Sequence, residues 1–197
     1  MIIYIHGFAS SGRGAKATLF REYFKNQGVD FIAPSLSYVP DLAIDTLEQL
    51  IESYSDRSSI SLMGSSLGGY YATYLAAKYN LKAVLINPSI FPYDTLSRVP
   101  SPMSNFYDGS SFEWREEHIE ALKKYEVSEI NAKNFMLLLQ TGDESLDYKH
   151  AAQKFKDAHL DIEEGGNHSY EGIERHFDIS KNPNILSIIE DVSKAEL

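Results

Sequence analysis

A chain of 197 residues, 43% of them hydrophobic, is long enough to bury roughly 70% of its unfolded surface, so one domain over 1–197 is expected and no covalent staples are needed. Zero cysteines exclude disulfides, thiolate metal sites and a cysteine nucleophile together, which leaves serine as the leading nucleophile candidate. The formal charge of −10, with 18 Lys and Arg scattered along the chain, argues against nucleic acid as a partner, because phosphate binding needs a basic face.

Met1 runs straight into Ile2-Ile3-Tyr4-Ile5 with no basic leader, and no apolar stretch approaches a membrane span, so a soluble, cytoplasmic protein is the expectation. That first run is β-branched and closed by His6-Gly7, which predicts a central, fully buried strand. Phe8 to Gly14 is a small-residue loop, and Ala15 to Asn26 is predicted as a helix with Leu19, Phe20, Tyr23 and Phe24 on one face. Asp30 to Ala33 is predicted as a second strand. Pro34 and Pro40 bracket a loop, and Asp41 is expected to cap a helix carrying Leu47, Leu50, Ile51 and Tyr54.

Ile60 to Met63 is a third strand, broken at glycine and continued as a helix over Tyr70 to Tyr79. The junction reads Gly64-Ser65-Ser66-Leu67-Gly68, the Gly-x-Ser-x-Gly spacing of a nucleophile elbow, in which a strained serine needs small neighbours two residues away. Ser66 is the serine so placed. The Leu67 amide and the start of the following helix then face any negative charge developing beside it. An ordinary glycine-rich turn is the alternative, but neither a P-loop lysine nor Gly-x-Gly-x-x-Gly is present.

Ala83 to Ile86 is a fourth strand ending in Asn87-Pro88, after which the alternation stops for some forty residues. Residues 88–131 hold four of the seven prolines and a cluster of Phe91, Tyr93, Phe106, Tyr107, Phe112 and Trp114. An excursion of this length is expected to be a functional cover, with one helix near Glu116 to Tyr125. It predicts an apolar acyl pocket with Phe91, Phe106 and Trp114 as wall residues; a hydrophobic core beneath a loop is the competing reading. Phe135 to Gln140 is a fifth strand, Tyr148 to Ala158 a helix, Leu160 to Ile162 a sixth strand, and Asn184 to Val192 a last helix.

Strands alternating with helices imply an α/β fold: a parallel sheet with right-handed crossovers and helices on both faces. Every strand then ends at one edge, where ligands of open α/β sheets bind, and that edge collects His6-Gly7-Phe8, Ser66, Asp143 and His168. A serine hydroxyl needs an imidazole to take its proton and a carboxylate to fix that imidazole's tautomer. Of six histidines, His168 alone sits in a glycine-rich loop after the last strand, in Gly165-Gly166-Asn167-His168-Ser169. His118, His150, His159 and His176 fall on apparent helices and are expected at the surface, while His6 buttresses its loop. Beyond the fifth strand Asp143, Glu144 and Asp147 all offer a carboxylate; Asp143 is nearest the strand end and Asp147 suits a helix cap. The order Ser, Asp, His matches the α/β-hydrolase arrangement.

Over nearly its whole length the chain resembles the small α/β-hydrolases of the YqiA-type esterase family. The likeness rests on His6-Gly7-Phe8 with Ser10-Ser11 and Arg13, on Ala15-Lys16-Ala17-Thr18-Leu19, on Gly64 to Thr73, on Gln140-Thr141-Gly142-Asp143-Glu144 with Leu146-Asp147-Tyr148, and on Gly165-Gly166-Asn167-His168. It implies esterase or thioesterase activity on small acyl substrates with Ser66, Asp143 and His168 as the triad and no metal or organic cofactor. It further implies a strand order of 2-1-3-4-5-6, which brings the Phe8 amide opposite the Leu67 amide as an oxyanion pair. Asn87-Pro88 with Phe91-Pro92 also resembles a sister group that lacks the elbow serine; Ser66 is present here. A binding protein of hydrolase fold without turnover is the rival reading.

Overall fold

The computed structural model describes residues 1–177, so the helix predicted over 184–192 lies outside the described residues. Six strands form the main sheet: β1 (Ile2–Ile5), β2 (Phe31–Ile32), β3 (Ser61–Ser65), β4 (Lys82–Ile86), β7 (Phe135–Gln140) and β8 (His159–Glu163). Between β4 and β7 a two-stranded antiparallel hairpin, β5 (Met103–Ser104) and β6 (Ser111–Phe112), stands apart. All pairings in the main sheet are parallel and run in the order β2-β1-β3-β4-β7-β8, the order that the family resemblance implies for its six strands. The fold is that of the α/β-hydrolases.

Alternation along the buried strands sends successive side chains into two separate cores, as the two-residue period of a strand requires. Ile3, Ile5, Leu62, Leu85, Leu137 and Leu139 enter one core. Ile2, Tyr4, Met63, Val84, Met136 and Leu138 enter the other. The first is covered by α2 (Pro40–Tyr54), α3 (Leu67–Tyr79) and α6 (Tyr148–Lys154), and the second by α1 (Ala15–Asn26) through Ala17, Phe20 and Phe24. No helix among the described residues is long and apolar enough to cross a membrane.

Two helix starts differ in kind. α2 begins at Pro40 after an extended Val39, so Asp41 lies in its first turn and is not its cap. Proline serves at that position because its missing N–H would have had no partner. Asp147 does cap α6, accepting from the Lys149 amide at 3.0 Å.

The segment between β4 and β7 contains α4 (Pro92–Leu96), the hairpin and α5 (Glu116–Lys123). It is tied to the rest of the fold at two places. Tyr70 of α3 donates to the Leu122 carbonyl at 2.8 Å, and the hairpin is pinned to the loop after β1 by Phe106 N–H to Ala9 (2.7 Å) and Asn105 Nδ2 to Ser10 (3.1 Å).

Candidate active site

The turn from β3 to α3 holds Ser66 at φ 56°, ψ −123°, a sparsely populated region for a residue with a side chain. Only the flanking glycines permit it. A Cβ on Gly64 would stand 2.3 Å from the Gly68 carbonyl oxygen, and one on Gly68 would stand 2.0 Å from the Ile5 carbonyl oxygen. The elbow spacing in the sequence is therefore a statement about backbone contact.

Ser66 Oγ lies 3.0 Å from His168 Nε2, and His168 Nδ1 lies 2.8 Å from Asp143 Oδ2. The carboxylate is 2% exposed, and its other oxygen accepts from the Ser145 and Leu146 amides, each at 2.8 Å. Held so, Asp143 accepts from Nδ1–H, which leaves Nε2 as the acceptor for the serine proton. Of the three candidate acids, Asp143 is the one brought to the imidazole; Asp147 is spent as a helix cap. Glu144 accepts from the His168 backbone amide at 3.0 Å, and that bond holds its carboxyl below the usual value.

β1 and β3 are neighbours with Ile5 opposite Gly64, which sets the loop after β1 beside the elbow. Gly7 makes the approach possible: a Cβ there would meet the Ser66 Cβ at 3.1 Å. Phe8 and Leu67 flank the serine, and neither backbone amide has a hydrogen-bond partner among the described residues. His6 steadies this loop. Its Nδ1 bonds the Gly7 carbonyl at 2.8 Å and its Nε2 accepts from the Leu36 amide at 3.0 Å, while burial pushes its pKa down and keeps the ring neutral.

Two buried amides that sequence reasoning did not single out for a role hold the His168 loop. Asn87, in left-handed backbone at φ 39°, donates to the carbonyls of Asn167 (3.0 Å) and His168 (3.3 Å) and accepts from the Gln140 amide (3.0 Å). Gln140 accepts from the Asn167 and Glu171 amides and donates to Glu163 and the Glu171 carbonyl. The signal was a polar residue closing each of two apolar strands at the sheet edge.

The remaining histidines divide differently from expectation. His118 and His176 are 7% exposed: His118 accepts from the Arg115 amide at 3.2 Å against Trp114, and His176 bonds the Tyr170 hydroxyl at 2.9 Å. His150 and His159 are exposed, His159 at the start of β8 and not on a helix. The helical pattern had hidden that α5 packs its His118 side inward.

A cleft of about 980 Å³ opens over Ser66 and His168. The cover contributes Leu96, Val99 and Phe106 to its wall, and α1 contributes Lys16 and Leu19. Of the three predicted wall residues only Phe106 lines it. Trp114 is 4% exposed and packs behind Phe8 at 4.8 Å between ring centres, its indole N–H donating to the Leu96 carbonyl at 3.0 Å; it belongs to the core. Phe91 faces a separate hollow with Asp94, Arg98 and His150. Among the described residues no group of three or more His, Asp and Glu side chains is arranged to hold a metal ion.

Residues 1–182 match the model of UPF0227, described as an uncharacterised protein family. A UPF0227 protein of Pectobacterium carotovorum subsp. carotovorum (strain PC1) is 26% identical over 157 residues, 78% of this chain and 81% of its own. One from Vibrio parahaemolyticus serotype O3:K6 is 26% identical over 189 residues, 92% of this chain and 97% of its own. Among solved structures, Est1E from Butyrivibrio proteoclasticus with ferulic acid bound superposes with a TM-score of 0.71 at 14% identity, covering 96% of this chain and 89% of that one. Mouse alpha/beta hydrolase domain-containing protein 10 gives 0.68 at 19% identity, covering 95% and 90%.

Proposed function

The chain belongs to the UPF0227 family, and from that premise we propose that it is a serine hydrolase, cleaving carboxylic esters or acyl thioesters through an acyl-enzyme on Ser66. The observation that carries this reading is the continuous hydrogen-bonded run Asp143–His168–Ser66, at 2.8 and 3.0 Å, beside two unpartnered amides. Est1E, of the same fold, binds a carboxylic acid, which is in keeping with an acyl substrate here.

In this mechanism Ser66 Oγ attacks the carbonyl carbon of the bound substrate while its proton passes to His168 Nε2. Asp143 holds the imidazole in the tautomer that can accept it. Negative charge moves to the carbonyl oxygen, where the Phe8 and Leu67 amides receive it; each such donor is worth about 10²–10³ in turnover. Collapse of the tetrahedral intermediate expels the alcohol or thiol, which takes the proton from His168. Water then attacks the acyl-serine, His168 taking its proton, and the carboxylic acid leaves with Ser66 restored.

A fluorophosphonate probe should label the wild-type protein at Ser66 and leave Ser66→Ala unlabelled, with hydrolysis of a short-chain ester lost in the variant. Equal labelling of both, or none of either in folded protein, would sink the reading in favour of a binding protein.

A further inference from the structure

α1 carries one side chain that the mechanism above does not use. Lys16 lines the same cleft as Ser66 and His168, half-buried, and donates to the Ser169 carbonyl at 2.9 Å. That is its side chain's one hydrogen bond, and no carboxylate lies within ion-pair distance of it, among the described residues. An ammonium has three donors, and leaving it poorly solvated without a counter-charge is costly. Asp143 acts on it only through space: its oxygens bond His168, Ser145 and Leu146, and no hydrogen bond or ion pair joins it to Lys16.

We propose, on the strength of the hydrolase reading, that Lys16 recognises a negative charge on the substrate, so that the preferred ester or thioester bears a carboxylate or phosphate group. The chemistry of the cleft wall fits a substrate of two characters. Leu96, Val99, Phe106 and Leu146 offer apolar contact, whereas Lys16 offers the one Lys or Arg side chain among the described lining residues. In a chain of formal charge −10, a cation in the cleft that Ser66 lines is the feature that admits an anionic ligand against the overall field. Desolvation is the larger influence on this lysine and pushes its pKa down to about 8 against the opposing pull of Asp143, so an incoming anion restores the charge that burial disfavours. Glu174 also lines the cleft but is exposed, where solvent screens it.

Lys16 also tethers the carbonyl next to His168, and a purely structural tether is the competing account. Selectivity separates the two. Three pairs of esters place the charge differently: 4-acetoxybenzoate against its methyl ester (carboxylate on the leaving group), 4-acetoxyphenyl phosphate against phenyl acetate (phosphate on the leaving group), and monoethyl adipate against diethyl adipate (carboxylate on the acyl group). The wild type should favour the anionic member of at least one pair in kcat/KM. Lys16→Met should lower that anionic-to-neutral ratio tenfold or more, mainly through KM, and Lys16→Arg should retain most of it. No anionic preference in the wild type, or an equal loss on charged and neutral esters in Lys16→Met, would overturn the proposal and leave the tether.

If no ester of either kind is turned over by folded protein, the hydrolase reading fails separately. The anion site is then judged by calorimetric titration with 4-hydroxybenzoate, adipate and inorganic phosphate. Binding weakened at least tenfold in Lys16→Met supports it, and absence of binding to the wild type refutes it. Lys16→Gln replaces Lys16→Met should the latter not fold by circular dichroism.

Discussion

At the scale of single residues, the carboxylate assignment is the sharpest contrast between spacing and geometry. Asp143 and Asp147 are four residues apart and chemically identical, yet one meets His168 at 2.8 Å and the other accepts the Lys149 amide at the start of α6. Asp143→Asn keeps the size but lets the imidazole settle in the wrong tautomer, which in a well-studied triad lowers turnover by about 10⁴. Steady-state kinetics on a short-chain ester should show a loss of that order with the fold intact. Asp147→Asn should change kcat less than twofold, because asparagine caps a helix about as well as aspartate. A reversed ranking would transfer the role to Asp147. His6 makes the same point in reverse: a strand-end histidine beside the Ser66 turn is spent on two backbone bonds, as its position before Gly7 suggested.

At the scale of elements, the cover over 88–131 acts on the site in two ways. Phe106 is 77% exposed yet lines the cleft, so Phe106→Ala should alter the acyl chain-length profile with little change in Tm. Trp114 is buried against Phe8, the residue whose amide is proposed as an oxyanion donor. Trp114→Ala should therefore cost about 3–5 kcal/mol of stability. It should also lower kcat on every chain length alike, measured by denaturant unfolding alongside ester kinetics. A chain-length shift without loss of stability would return Trp114 to the pocket wall.

The loop that carries His168 is braced from β4 and β7 by Asn87 and Gln140. Gln140→Ala removes the acceptor of the Asn167 and Glu171 amides at a part-buried position, at about 0.5–1.5 kcal/mol for each hydrogen bond lost. Since the elbow is untouched, the defect should appear as a fall in kcat larger than any rise in KM, with a slower rate of fluorophosphonate labelling. An unaltered labelling rate would show that the loop holds without this brace.

At the scale of the whole molecule, the parallel sheet is what turns scattered residues into a site. Ser66 and His168 are 102 positions apart, and they meet because β3 and the end of β8 reach the same edge. The sequence by itself determined the alternating α/β architecture, the buried strands, the elbow at Ser66 and the loops that carry Phe8, Asp143 and His168. Those are local signals: apolar runs of strand length, glycines where backbone must approach backbone, and polar residues just past strand ends. Only the tertiary structure set Asp143 and not Asp147 against His168, drew His118 and Trp114 into the core, and bonded Asn87 and Gln140 to the His168 loop. It also put Lys16 in the cleft that Ser66 and His168 line. Each of those depends on which side of an element faces a neighbour distant in sequence, and that is fixed by packing between elements, which spacing along the chain does not encode.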